Sequence, residues 1–260
     1  MNRSRARPYF SVQASILGLG LTAWLWGCEA ANVTPPDALS EYTLAYTAVK
    51  NLDLNTAQTT ARAIRKDGTA IDGPVTLDGS SMDYNSIAKE FSRSYANANA
   101  LLAIAHNVRL SDKGVEIASF SSSVASNFSI TDITPPSRIY AGGSVTVEWT
   151  FTPAIDGYVL AAVKANQTYQ DKGFAQFVGL ATTTASLPPD AFLDSTGVLD
   201  SGLYYIYVLA YSGAPAPRAG AYPTVLPSGF TNNLNSTKVT GRYGSAVVAL
   251  HDSIQVNPIP

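Results

Sequence analysis

Residues 200–211 read Asp200-Ser201-Gly202-Leu203-Tyr204-Tyr205-Ile206-Tyr207-Val208-Leu209-Ala210-Tyr211, an Asp-x-Gly turn opening directly into an unbroken aromatic and aliphatic run. Such residues fit a pleated, partly buried surface, so the run predicts a strand. Strand side chains alternate, which puts Tyr204, Ile206, Val208 and Ala210 on the core face. Leu203, Tyr205, Tyr207, Leu209 and Tyr211 then share the opposite face, and a face that apolar needs covering. Either another part of the chain packs on it, or its tyrosines form a platform for a sugar or a partner.

The flanking sequence supplies companions for this strand. Val145, Val147, Trp149 and Phe151 alternate with Thr146, Glu148 and Thr150, a period of two that predicts a half-buried strand with the first set inward. Tyr158–Val163, Phe174–Leu180, Thr183–Leu187, Ala246–Leu250 and Ser253–Val256 are further strand-like runs. Upstream, Tyr42–Val49 and Ala57–Lys66 predict strands, and Asp67-Gly68, Asp72-Gly73 and Asp78-Gly79 are hairpin signals. Ser86–Ala96, with Ile87 and Phe91 four apart, suits a helical turn, Ala100–Leu110 fits helix or strand, and Val115–Phe120 and Asn127–Ile133 close this part. Pro135-Pro136 cannot sit inside a sheet and marks a joint. Fourteen Tyr, 19 Gly and 15 Pro in 260 residues agree with an all-β chain rich in turns.

Asp200-Ser201-Gly202-Leu203-Tyr204 resembles the corner at the start of strand F in immunoglobulin-like and fibronectin-type sandwiches, and the Val145–Phe151 strand resembles their early Trp-bearing strand. The resemblance implies that the Tyr204 hydroxyl bonds to upstream backbone. Ile206 stands where antibody domains carry their second Cys, which implies a sandwich without a disulfide. The expected fold is two immunoglobulin-like β-sandwiches in tandem, over residues 40–133 and 137–257.

Residues 1–27 stand apart. Arg3, Arg5 and Arg7 precede the uncharged run Ala14–Gly27, the pattern of a secretory signal, too short to span a bilayer comfortably. The run ends in Leu25-Trp26-Gly27-Cys28, which resembles the lipobox of bacterial lipoproteins. That resemblance implies cleavage before Cys28 and acylation of it, palmitate included; at about 0.8 kcal/mol per buried methylene, two chains anchor stably. The alternative is a free thiol after an ordinary signal. Cys28 is the sole Cys, so no intrachain disulfide can form, and no nearby His or second Cys suggests zinc or thiol chemistry. Residues 28–39, with Pro35-Pro36, read as an extended tether to the membrane. Glu29 follows the Cys in place of the Asp associated with inner-membrane retention in enteric bacteria, so the resemblance implies the outer membrane.

Losing three Arg and no acid with the signal takes the formal charge from −2 to −5, which argues against a nucleic-acid partner. Acid–base catalysis needs convergent titratable groups, and the chain has two His, His106 and His251, neither in a catalytic motif. His251 reads as a polar residue at a sheet bend. Nucleophile, zinc and phosphate-loop signatures do not occur. The pairs Asp53/Asn55 and Asp83/Asn85 supply too few oxygens for a calcium loop. No enzyme, cofactor or metal is expected. Ser212–Gly244 is far longer than a hairpin connection and carries Arg218, Tyr222, Phe230, Arg242 and Tyr243, side chains suited to recognition. It is either a binding loop projecting from one end of the sandwich or an inert insertion. With Tyr205, Tyr207 and Tyr211 these residues form the candidate binding set, for an envelope protein or a surface glycan.

Overall fold

The computed structural model describes residues 40–165, 173–217, 221–223 and 226–259. The signal segment, Cys28, the tether and Arg218 lie outside them. The strands are β1 Tyr42–Asn51, β2 Thr56–Arg65, β3 Val75–Leu77, β4 Ser80–Ser81, β5 Asp83–Asn85, β6 Glu90–Tyr95, β7 Ala105–Asp112, β8 Val115–Ser123 and β9 Ile130–Thr134. They continue as β10 Arg138–Tyr140, β11 Val145–Trp149, β12 Gly157–Lys164, β13 Phe174–Gly179, β14 Thr184–Leu187, β15 Gly202–Gly213, β16 Leu234–Asn235, β17 Val239–Val248 and β18 Asp252–Asn257. Two short 3-10 turns are the only helical pieces among the described residues, so the fold is all-β.

The strands sort into two sandwiches with immunoglobulin-like topology. In the first, β1-β2-β6-β5 faces β4-β3-β7-β8; in the second, β14-β11-β9 faces a sheet containing β13-β12-β15-β18-β10. β15 occupies the F position, and the corner forms as the resemblance implied: the buried Tyr204 hydroxyl donates to the Asp200 carbonyl at 2.7 Å. Val145, Val147, Trp149 and Ile206 are buried in the same core, with Trp149 edge-on to Tyr158 at 5.2 Å. Asp78-Gly79 makes the two-residue hairpin between β3 and β4, both residues at positive φ as that turn requires.

The sheet does not stop at Pro135-Pro136. β17 pairs antiparallel with β15 and, on its other side, pairs parallel with β1 along all ten residues, from Tyr42↔Val239 to Asn51↔Val248. One eleven-stranded sheet therefore runs through both sandwiches, and one apolar cluster contains core residues of both, such as Leu44, Tyr46, Leu110, Val147 and Tyr158. Close approach at this seam depends on Gly241, opposite Leu44, whose φ is +150° and where any Cβ would collide with the Leu44 backbone.

Four local expectations change. Asn127–Ile133 does not close the first sandwich: β9 pairs with β11, so the second sandwich begins near residue 130. Ser86–Ala96 is a turn followed by β6, because Phe91 finds a cross-strand partner in Ala61 while Ile87 projects almost wholly into solvent. Phe151 is exposed, since β11 ends at Trp149 after a register shift at Glu148/Trp149. Ser212 and Gly213 still belong to β15, and residues 239–244 of the expected Ser212–Gly244 loop form the first part of β17, so the true excursion is shorter.

Candidate functional site

The outward face of β15 is the floor of the site. Across the seam Leu209 neighbours Val159 of β12 on one side and Val248 of β17 on the other, and β17 places Ala246 beside Val49 of β1. The chain leaving β15 folds back over this floor: Tyr222 and Leu226 are buried in a cluster with Val49, Val159, Leu209, Ala246 and Val248. Thr47 pins the start of that cover, its hydroxyl accepting from the Ala216 N–H at 2.8 Å and donating to the Ala216 carbonyl at 3.3 Å. Phe230 closes the rim, edge-on to Phe177 at 5.0 Å and to Tyr211 at 5.1 Å. The segment expected to project is thus a third layer over the seam.

The candidate binding residues are divided by this arrangement. Tyr207, Tyr211, Tyr222 and Phe230 belong to the cover and its floor. Burial raises the Tyr222 and Tyr211 phenols above their ordinary value. Tyr205 and Tyr207 lie further along β15, half-buried against the His251 ring at 4.4 and 5.5 Å. His251 sits in the bend between β17 and β18, as expected, with Nδ1 2.6 Å from Asp53 Oδ1 of the β1–β2 turn. Burial first, then the Asp53 charge, pushes the Tyr207 phenol up to about 12. Arg242 is buried on β17 and desolvation lowers its pKa. Tyr243 points to the opposite face and stacks on Phe120 of β8 at 4.4 Å. No single surface gathers all of them.

At the end of β15 the cover and the first sandwich leave a cleft of about 470 Å³. Gly213 and Gly244, cross-strand partners in the last step of the β15–β17 ladder, both line it. A Cβ at Gly244 would lie 2.5 Å from the Ser212 carbonyl oxygen, so the chain can turn away here only without side chains. Ser121–Ser123 of β8, Asp156, Asn233, Phe230 and Tyr243 supply the walls. Asn233 bonds both backbone groups of Tyr243, at 2.9 and 2.8 Å, and Asp156 Oδ2 accepts from the Gly213 N–H at 2.6 Å. The Ser122 hydroxyl is buried with no hydrogen-bond partner among the described residues. Ser122, Asp156 and Asn233 escaped the sequence reading because no motif marks them; only the fold brings β8 against the end of β15.

Both histidines have carboxylate partners that spacing could not reveal. Buried His106 bridges Asp78, at 2.6 Å from Nδ1, and the Leu102 carbonyl, at 3.0 Å from Nε2. Among the described residues no three His, Cys, Asp or Glu side chains gather as a metal site would require.

No family model matches the chain, and no curated protein matches it. Among solved structures, it is similar to the FN1–FN3 domains of chicken CNTN1, at 11% identity over 74% of this chain with a TM-score of 0.25. It is also similar to dimeric latent PorU from Porphyromonas gingivalis, at 13% identity over 80% of this chain with a TM-score of 0.27. The chain spans 65% of the first of these and 19% of the second.

Proposed function

We propose that this chain is a non-enzymatic, lipid-anchored protein of the bacterial envelope whose joined β-sandwiches present a binding surface to another envelope protein. The observation that supports it most is the seam: a ten-residue parallel pairing and a buried cover lock two interaction-type domains into one rigid surface. Two loosely linked domains would lose orientational freedom on binding, whereas a fixed pair has little left to lose. The anchor rests on Leu25-Trp26-Gly27-Cys28, and Glu29 favours the outer membrane. Cys28→Ser should move the chain from the membrane to the soluble fraction and abolish labelling by palmitate; unchanged labelling removes the anchor from the reading. In-cell crosslinking of the anchored chain should capture a defined envelope protein, and protease shaving of intact cells reports which side of the membrane it faces.

A second reading, a carbohydrate-binding surface module, is favoured by the cleft, whose walls combine hydroxyl and carboxylate groups with aromatic rings. Tyr205 and Tyr207, the platform that the sequence suggested for it, are instead half-buried against His251.

A further inference from the structure

The free sheet edges of this fold are not guarded alike. An edge strand offers unpaired N–H and C=O groups, and natural proteins blunt such edges with charged side chains, proline, bulges or very short strands. β5 carries Asp83, β8 Glu116, β9 Asp132 and β10 Arg138, while β4 and β16 are two residues long. β13, Phe174-Ala175-Gln176-Phe177-Val178-Gly179, has none of these devices. Its six uncharged residues, without proline, pair with β12 in unbroken register, and no strand lies on the other side among the described residues. The facing sheet ends in the same place: β14, Thr184-Ala185-Ser186-Leu187, is an edge strand and also uncharged, and the Gln176 side-chain amide of β13 donates to its Ser186 carbonyl at 2.9 Å. Phe177 on β13 and Leu180 in the connection to β14 are 39% and 42% exposed. This side of the second sandwich is thus open, uncharged and partly apolar.

β13 is also held ready to pair. Phe174 and Val178 pack on the core, and on the opposite face the Phe177 ring stands edge-on to Tyr211 at 5.7 Å and to Phe230 at 5.0 Å. An incoming strand meets a template already ordered, so little conformational freedom remains to be lost. Composition selects the occupant. When a strand pairs antiparallel with its own copy, any charge it bears is brought close to the same charge, and like charges placed opposite each other are destabilising. A strand without charge can face itself. A two-fold axis normal to the sheet keeps each face aligned with its counterpart. An axis at Phe177 then sets the two Phe177 rings side by side, with Gln176 opposite Val178 and Ala175 opposite Gly179.

We infer that a second copy of this chain docks on the β13 edge, β13 pairing antiparallel with its counterpart about Phe177, so that the eleven-stranded sheet continues through a symmetric dimer. The dimer does not depend on the lipid anchor or on the envelope partner, and it sets two copies of the joined surface on one assembly.

The test is analytical ultracentrifugation of the Cys28→Ser full chain, which should sediment as a dimer in exchange with monomer at micromolar concentration. Phe177→Lys should weaken self-association about tenfold or more, through loss of the aromatic pair and two like charges set face to face. Because Phe177 also packs on Tyr211 and Phe230, Gly179→Lys is the second variant: a Cβ there meets nothing within 4 Å, so the melting temperature should hold while the dimer weakens. Ile87→Lys, in the turn after β5 at the far edge of the sheet, should leave the dimer unchanged. Phe177→Cys, the sole thiol in this background, should oxidise to a covalent dimer, since directly opposed strand residues lie within disulfide reach. Failure of that crosslink overturns the pairing about Phe177. A parent that stays monomeric, or a dimer that neither Phe177→Lys nor Gly179→Lys weakens, overturns the β13 interface and leaves the envelope-partner reading standing. That reading fails separately, if in-cell crosslinking captures no envelope protein.

Discussion

Replacing Tyr222 by Ala tests whether the excursion after β15 is a structural layer or a free loop. The ring is buried among Leu209, Val159 and Val248, with Leu226 beside it and the Thr47–Ala216 pair holding the segment's start. Removing a buried aromatic costs about 3–5 kcal/mol, through lost transfer energy and the cavity left behind. That is a large share of a typical total of roughly 5–15 kcal/mol. For a chain of this size each kcal/mol lowers the melting temperature by about 2–4 °C, so Tyr222→Ala should melt roughly 10 °C below the parent. Tyr222→Phe separates ring from hydroxyl: the hydroxyl has no well-formed hydrogen bond among the described residues, so its loss should cost less than about 1 kcal/mol. Urea and thermal unfolding followed by circular dichroism measure both, and dye binding to exposed apolar surface should rise only in the Ala variant. A Tyr222→Ala protein melting within about 2 °C of the parent would refute the layer, since a free loop contributes little beyond about 0.6 kcal/mol per doubling of its length.

Tyr204→Phe should cost about 1–2 kcal/mol in denaturant melts by deleting the bond to the Asp200 carbonyl, whereas Tyr205→Phe should be nearly silent; the reverse order contradicts the facing of β15. Gly241→Ala should cost about 3 kcal/mol or more and loosen the seam, read as faster amide exchange along β1 and β17; protection equal to the parent's would show that the sheets need no such contact. Asp112 governs the acid limb of stability. Paired hydrogen bonds from Arg65 hold its carboxyl well below the usual carboxylate range, helped by the Asp72 N–H and the Tyr42 hydroxyl. Its contribution is therefore complete above the unfolded value of about 3.9 and is lost as pH falls through the lower folded value. Asp112→Asn should lower stability at neutral pH and flatten the decline on acidification; an acid limb as steep as the parent's would assign that decline to other carboxylates.

Most strands were legible because their signals are local. The alternation of Val145, Val147 and Trp149, the Asp78-Gly79 hairpin and the Asp-x-Gly-x-Tyr corner each depend on neighbours within a few residues, so they survive whatever the rest of the chain does. Misread elements are those where a distant partner decides. Phe91 satisfies helical spacing with Ile87 and strand pairing with Ala61, and only pairing buries it. Pro135-Pro136 was read as the joint between the sandwiches, but β9, which precedes it, already pairs with β11, which follows it.

The sequence by itself determined an all-β chain, the sandwich corner at Tyr204, the inward set of β15 and the apolar character of its other face. Only the tertiary structure decided what covers that face and how the two sandwiches meet. The reason is physical: an apolar face states that it must be buried but not by what, because the hydrophobic effect is non-directional. The specific choice comes from contacts far apart in sequence, Gly241 against Leu44 and Thr47 against Ala216. The cleft follows from the same long-range fit, since Ser122 and Asp156 share a wall only once β17 has joined the two sheets.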